Sequence, residues 1–111
     1  MKRVLIESPY KSPLPDQHFQ YKIYLERAIA DSFSRGEAPF ASHGFYTHYL
    51  DDDNPEERRQ GICAGFAWGE VAELVAVYAD YGFSNGMKAG MTKWGALLIP
   101  VEIRYINRGN T

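Results

Sequence analysis

The stretch YADYGFSNGMKAG, residues 78–90, leads from an apolar run through small residues into a helical start. Small side chains at Ser84, Asn85 and Gly86, with Met87 beyond them, let backbone amides approach a ligand. The helix start itself favours a polar or anionic group. Many strand-to-helix turns share this pattern, but a second polar cluster adds to it here. Glu7-Ser8-Pro9-Tyr10 closes the first apolar run and places a carboxyl, a hydroxyl and a phenol within four positions. Together the two clusters point to a pocket for a small polar molecule.

Other groupings carry weaker chemistry. Asp51-Asp52-Asp53 gathers oxygens of the kind a hard cation wants, yet lacks the alternating ligands and glycine of a calcium loop. Acids beside a helix start are ordinary electrostatics, so no metal site is expected. His18, His43 and His48 show no ligand spacing with one another or with Cys63. The chain has no Gly-x-Ser-x-Gly elbow, no Walker loop and no Gly-x-Gly-x-x-Gly, so neither a serine triad nor a cofactor is expected. Gly61, Gly65 and Gly69 lie four apart on one helical face. Each costs about 1 kcal/mol against alanine, which close packing against a neighbour would justify. Cys63 sits in an apolar helical pattern and is expected to fill core.

To position these clusters the chain must alternate strands and helices. Residues 3–6 read as a buried strand closed by Pro9. Asp16 can cap a helix running to about Ser34, with Tyr21, Leu25, Ile29 and Phe33 as its apolar face, Ala28 beside them, and Gly36 as its stop. Residues 38–42 read as a second strand, and 43–53 as a loop. Asn54-Pro55-Glu56-Glu57 opens a helix to about Val71 or Ala72: the asparagine can cap, proline loses nothing at the first position, and the acids suit the positive end. Residues 73–79 form the clearest buried strand. Ser84 then caps a third helix to about Leu97, and residues 99–106 supply a last strand. The order β-α-β-α-β-α-β predicts a mainly parallel sheet with helices on both faces. Ligands of such sheets sit beyond the carboxyl ends of the strands, where residues 7–10, 42–53 and 80–86 would converge. Trp68 is expected beneath that pocket.

Composition narrows the partners. At 111 residues the chain fits one domain, and 45% hydrophobic residues exclude disorder. The net charge is -2 and the basic residues are scattered, so no nucleic-acid polymer is expected to bind. The apolar run at the N-terminus stops at Ile6, too short for a signal peptide, and no stretch approaches membrane-spanning length. A cytoplasmic protein with no membrane partner is expected.

The segments RVLIESPY, RGEAPFASHGFYTH, LDDDNPEERRQGICAGFAWGE, AVYADYGFSNGM and IPVEIRY cover nearly the whole chain. They resemble the nucleoside 2-deoxyribosyltransferase-like superfamily, in a branch of small uncharacterised phage and bacterial proteins. The resemblance implies an α/β flavodoxin-like three-layer sandwich with a four- or five-stranded sheet, spanning residues 1–111 as a single domain. It also implies a nucleoside- or nucleotide-derived ligand and a homo-oligomer, in host cytoplasm if phage-encoded. In the enzymes a glutamate attacks the anomeric carbon four residues after the loop glycine, with an aspartate two residues before that glycine. The glycine corresponds to Gly86, the aspartate position to Ser84 and the glutamate position to Gly90; a first-strand tyrosine corresponds to Leu5. The acid ahead of the third strand has no counterpart in CAGFAWGE. The catalytic set does not carry over.

Two readings follow, with a structural oligomer as a third. A binding module would hold its ligand uncleaved, as a phage protein sequestering a nucleotide signal would. Its walls would be Glu7, Ser8, Pro9 and Tyr10 on one side and Ser84, Asn85, Gly86 and Met87 on the other. His43 and Tyr46 would reach in from the long loop, where an aromatic can stack on a base. An N-glycosidase or deoxyribosyltransferase would instead use Glu7 as nucleophile or base, assisted by His43 or Asp80. Glu7 could equally be a structural acceptor for loop amides.

Overall fold

A computed structural model of the chain describes residues 1–107. Strand β1 (Arg3–Glu7) leads to helix α1 (Pro15–Ser34), strand β2 (Ala38–Phe40), a short helix α2 (Ser42–Phe45) and helix α3 (Pro55–Gly69). Strand β3 (Leu74–Tyr78), helix α4 (Asn85–Ala96) and strand β4 (Val101–Arg104) complete it. The four strands are all parallel, in the order β2-β1-β3-β4. The chain leaves β1 for β2 on one side and later returns to β3 on the other, so strand order reverses between β1 and β3. In this flavodoxin-like arrangement that reversal opens a crevice at the carboxyl ends of the two strands.

Period-two alternation divides the core into two layers. Val4, Ile6, Leu74, Ala76 and Tyr78 pack on Tyr24, Leu25 and Ala28 of α1. Leu5, Val75 and Val77 pack on Met87 and Trp94 of α4, with Ile99. A strand side chain past these layers inherits its parity, which decides which end of the crevice it enters. Below the sheet, Arg104 is almost wholly buried. Its Nη2–H donates to Glu37 Oε2 at 2.7 Å and its Nη1–H to the Tyr78 hydroxyl at 3.1 Å, tying β4 to the entry of β2.

Helix starts follow their capping residues. Asn54 Oδ1 accepts from the Glu56 and Glu57 amides at 3.0 and 3.2 Å, and Ser84 Oγ accepts from the Met87 amide at 3.2 Å. Gly36 takes φ +80° just past α1, a conformation glycine adopts without strain. Other expectations are corrected. Asp16 lies within the first turn of α1 and makes no cap; Pro15 opens the helix instead. The buried face of α1 is Tyr24, Leu25, Ala28 and Ser32, while Phe33 is 58% exposed. The polar members bury because they are bonded, Tyr24 to Asp80 and Ser32 to Glu37. Helix α3 ends at Gly69, and the expected loop 43–53 holds most of α2 and a 3-10 turn, Tyr46–His48. Cys63 is exposed, because the glycine face of α3 points inward and the apolar face carrying Cys63 points out. Among the described residues no helix is long and apolar enough to cross a membrane.

Candidate functional site

A cavity of about 640 Å³ opens beyond the carboxyl ends of β1 and β3. That size suits a small-molecule pocket. Its first wall is the end of β1 and the segment after it, which contribute Glu7, Ser8, Pro9 and Tyr10. His43 and Tyr46 enter from α2 and the turn after it, and Ser84, Asn85, Gly86 and Met87 from the start of α4.

Each wall is fixed locally. Ser8 Oγ and His43 Nε2 are hydrogen-bonded at 3.0 Å, joining the first wall to α2. The Tyr10 ring stands edge-on to His43 at 5.6 Å and to His18 at 5.2 Å, and His18 Nδ1–H donates to the Tyr10 carbonyl at 2.8 Å. Burial holds the His43 imidazole down at about 4, so the ring is neutral near pH 7. At the α4 start, two of the four expected amides are already used: Met87 N–H donates to Ser84 Oγ, and Ser84 N–H to Met87 Sδ at 3.4 Å. The Asn85 and Gly86 amides, in the first helical turn, have no intrahelical acceptor.

Glu7 stands at the floor. It shares the parity of Leu5, so its side chain turns toward α4. A Cβ on Gly90 would lie 2.5 Å from Glu7 Oε2 and 3.2 Å from its Cδ. The carboxyl therefore rests on the bare backbone of residue 90, in space that any side chain there would need. Burial pushes its pKa up to about 7, and the Trp94 indole N–H beside it only partly opposes the rise. That N–H is itself buried and completes no hydrogen bond of normal geometry.

Asp80 lies outside the cavity. Like Tyr78, it turns to the α1 layer. Its Oδ2 accepts from the Tyr24 hydroxyl at 2.5 Å and the Ile106 amide at 2.8 Å, and its Oδ1 accepts from the Asn107 amide at 3.0 Å. It anchors the segment after β4. Asp80→Asn is expected to cost about 1–2 kcal/mol, because one acceptor becomes a donor facing an amide or hydroxyl. A urea melt measures the loss. Ligand affinity should stay unchanged, and a fall in affinity at equal folding would return Asp80 to the site.

Trp68 is not beneath this cavity. It is 63% exposed and lines a separate apolar groove beside β2, with Phe40, Phe45 and Val71. The tryptophan under the pocket is Trp94, which the sequence reading passed over along with Phe66. A signal existed: Gly90 and Trp94 are one turn apart on α4, so a small residue and an indole share a face. The three glycines of α3 do permit close approach. Gly61 faces Leu50, Gly65 faces Ser42, and Gly69 lies against the Trp94 ring. Asp52 pairs with Lys11 at 3.3 Å and Arg58 at 3.6 Å, so the acidic run is spent at the cavity rim on these cations.

The family described as a domain of unknown function, DUF7768, matches residues 2–104. In fold the chain is similar to a 2-deoxyribosyltransferase from the psychrotolerant bacterium Bacillus psychrosaccharolyticus, with a TM-score of 0.66. The likeness covers 93% of this chain and 72% of that one, at 13% identity. No curated protein matches the chain in sequence.

Proposed function

The chain belongs to the DUF7768 family, and we propose that its cavity binds a nucleoside- or nucleotide-derived molecule without the inherited transfer reaction. The observation that carries this reading is Gly90. The position where the resemblance implies a nucleophilic carboxylate has no side chain, within a cavity whose walls are otherwise built. Tyr46 offers a face for a base, and the Asn85 and Gly86 amides offer donors to the sugar or phosphate end. The fold likeness to a 2-deoxyribosyltransferase supports a nucleoside-type partner. A phage protein of this kind would act in host cytoplasm by sequestering its ligand. The exposed Phe45, Trp68 and Val71 support a homo-oligomer.

Thermal midpoints with a panel of nucleosides and nucleotides test this reading, since a ligand held only by the native state raises the midpoint. Tyr46→Ala should weaken the responding ligand about tenfold, the loss of one stacking contact. If no member of the panel moves the midpoint, the binding reading fails.

One observation favours a second reading, an N-glycosidase. The Glu7 carboxyl already occupies the space beside residue 90, and a group titrating near pH 7 suits a nucleophile or general base. The ionised Glu7 would attack the anomeric carbon as the bond to the base breaks, and a water would protonate the departing base. A second water would hydrolyse the glycosyl ester to release the sugar and free Glu7. Recovery of intact nucleoside after prolonged incubation excludes it, and turnover surviving Glu7→Gln would remove Glu7 from the chemistry.

A further inference from the structure

We propose that the cavity floor is a subsite for one hydroxyl group of the ligand, held between the Trp94 indole N–H and the Glu7 carboxyl over Gly90. Two polar groups meet there. Trp94 is 2% exposed, and its Nε1 donor is buried beside the Glu7 carboxyl without completing a hydrogen bond of normal geometry. A buried donor without a well-formed partner is costly, so its persistence needs a use. The Glu7 carboxyl lies beside it: the position of a Cβ on Gly90 is 2.5 Å from Glu7 Oε2 and 3.6 Å from Trp94 Nε1. Both groups line the same cavity.

Complementarity selects the ligand atom. The indole offers only a donor, so its partner must accept. The Glu7 carboxyl keeps at least one acceptor oxygen whether protonated or ionised, and once ionised it needs a partner that donates. A hydroxyl does both. An ammonium cannot accept from Trp94, and a phosphate oxygen brings negative charge against Glu7 with no cation to balance it. Lys11 and Arg58 line the cavity, but both are held to Asp52 at its exposed rim. A phosphate, if the ligand carries one, must lie away from the floor. That the hydroxyl belongs to a sugar rests on the proposed nucleoside-type ligand; the subsite itself does not.

The test uses 15N-labelled protein. The chain has two tryptophans, and Trp68→Phe assigns their two indole signals. Ethylene glycol, methylammonium and inorganic phosphate are titrated separately at matched ionic strength, followed by adenosine and its 2'-, 3'- and 5'-deoxy forms. Ethylene glycol should move the Trp94 indole proton downfield while Trp68 stays still, and the other two fragments should not. Glu7→Gln should weaken the glycol response about tenfold, the size of one charge-assisted hydrogen bond. Of the deoxy forms, one should lose the Trp94 shift yet still move the Gly86 amide. A Trp94 signal unmoved by glycol, or moved instead by phosphate or methylammonium, overturns the subsite. If adenosine moves Gly86 but not Trp94, the subsite falls and the nucleoside reading stands. If glycol moves Trp94 but no nucleoside perturbs any cavity signal, the subsite stands and the nucleoside reading falls.

Discussion

Glu7→Gln is expected to leave stability unchanged below pH 4.5 and to raise it progressively up to pH 7, reaching at most about 3 kcal/mol. The cause is burial of a carboxyl that the unfolded chain ionises freely. Its pKa rises from 4.5 to about 7, with the Trp94 N–H opposing only part of the shift. Between those values the unfolded chain has given up the proton and the native state still holds it. The native state therefore binds more protons, and stability falls as pH rises. Above pH 7 both states are ionised and the full cost remains. Glutamine keeps the shape without the charge, so the cost disappears.

His43 works in the opposite direction. Its pKa falls from 6.5 to about 4 on burial, so between those values the unfolded chain holds a proton that the native ring refuses. Stability from His43 is present above pH 6.5 and is lost as pH falls toward 4. Across the shared window the two slopes nearly cancel, and their combined contribution in the wild type is flat. The variant should lose that balance and show a rise from pH 4 to 6.5. Urea melts of both proteins at half-unit steps from pH 4 to 8 measure it. A difference that stays constant across the range would mean that Glu7 does not titrate as its burial requires.

The same parity that sets this cost shows how far the sequence could be read. Alternating elements, the Asn54 and Ser84 caps and the stop at Gly36 are local signals, and each acts where its residues stand. The three converging segments were legible because strand order in a parallel sheet sends them to one edge. What local signals could not rank were the two acids at that edge. Glu7 shares Leu5's parity and turns toward α4. Asp80 follows Tyr78 and turns toward α1, where it binds amides near the end of the described chain. Deciding between them needs the sheet's two faces, and those depend on which helix covers which. Helix α1 shows the same limit, because apolar residues ring it at Phe19, Ile23, Tyr24, Leu25 and Phe33. Periodicity alone does not choose a face; the Tyr24–Asp80 and Ser32–Glu37 bonds do. Gly90 was legible as an absence of chemistry, but the contacts of Gly90 and Trp94 with Glu7 span most of the chain length and leave no trace in local pattern.

An alanine series through Gly95, Gly90 and Gly69 should separate stability from site integrity. At Gly95 a Cβ meets nothing within 4 Å, so alanine should stabilise α4 by roughly 0.5–1 kcal/mol through helix propensity and leave binding intact. At Gly90 the same propensity gain is available, but the new methyl falls on the Glu7 carboxyl. That carboxyl is the free end of a flexible side chain, so it can swing away without moving backbone. Gly90→Ala should therefore stay within about 1 kcal/mol of wild type. It should return the Glu7 pKa toward its ordinary value and weaken the ligand at least tenfold. Gly69 differs because its neighbour is the Trp94 ring, rigid, 2% exposed and edge-packed on Phe66 at 5.1 Å. The ring has nowhere to go, so Gly69→Ala should cost about 3 kcal/mol as overpacking and also displace the indole N–H. Chemical denaturation gives the three stabilities, a 13C-carboxyl titration gives the Glu7 pKa, and the thermal panel gives affinity. The decisive comparison is Gly90 against Gly95, two glycines on one helix with the same intrinsic gain. If Gly90→Ala binds ligand as well as Gly95→Ala does, the carboxyl at the floor is not part of the site, and the cavity holds its ligand by the loop walls alone.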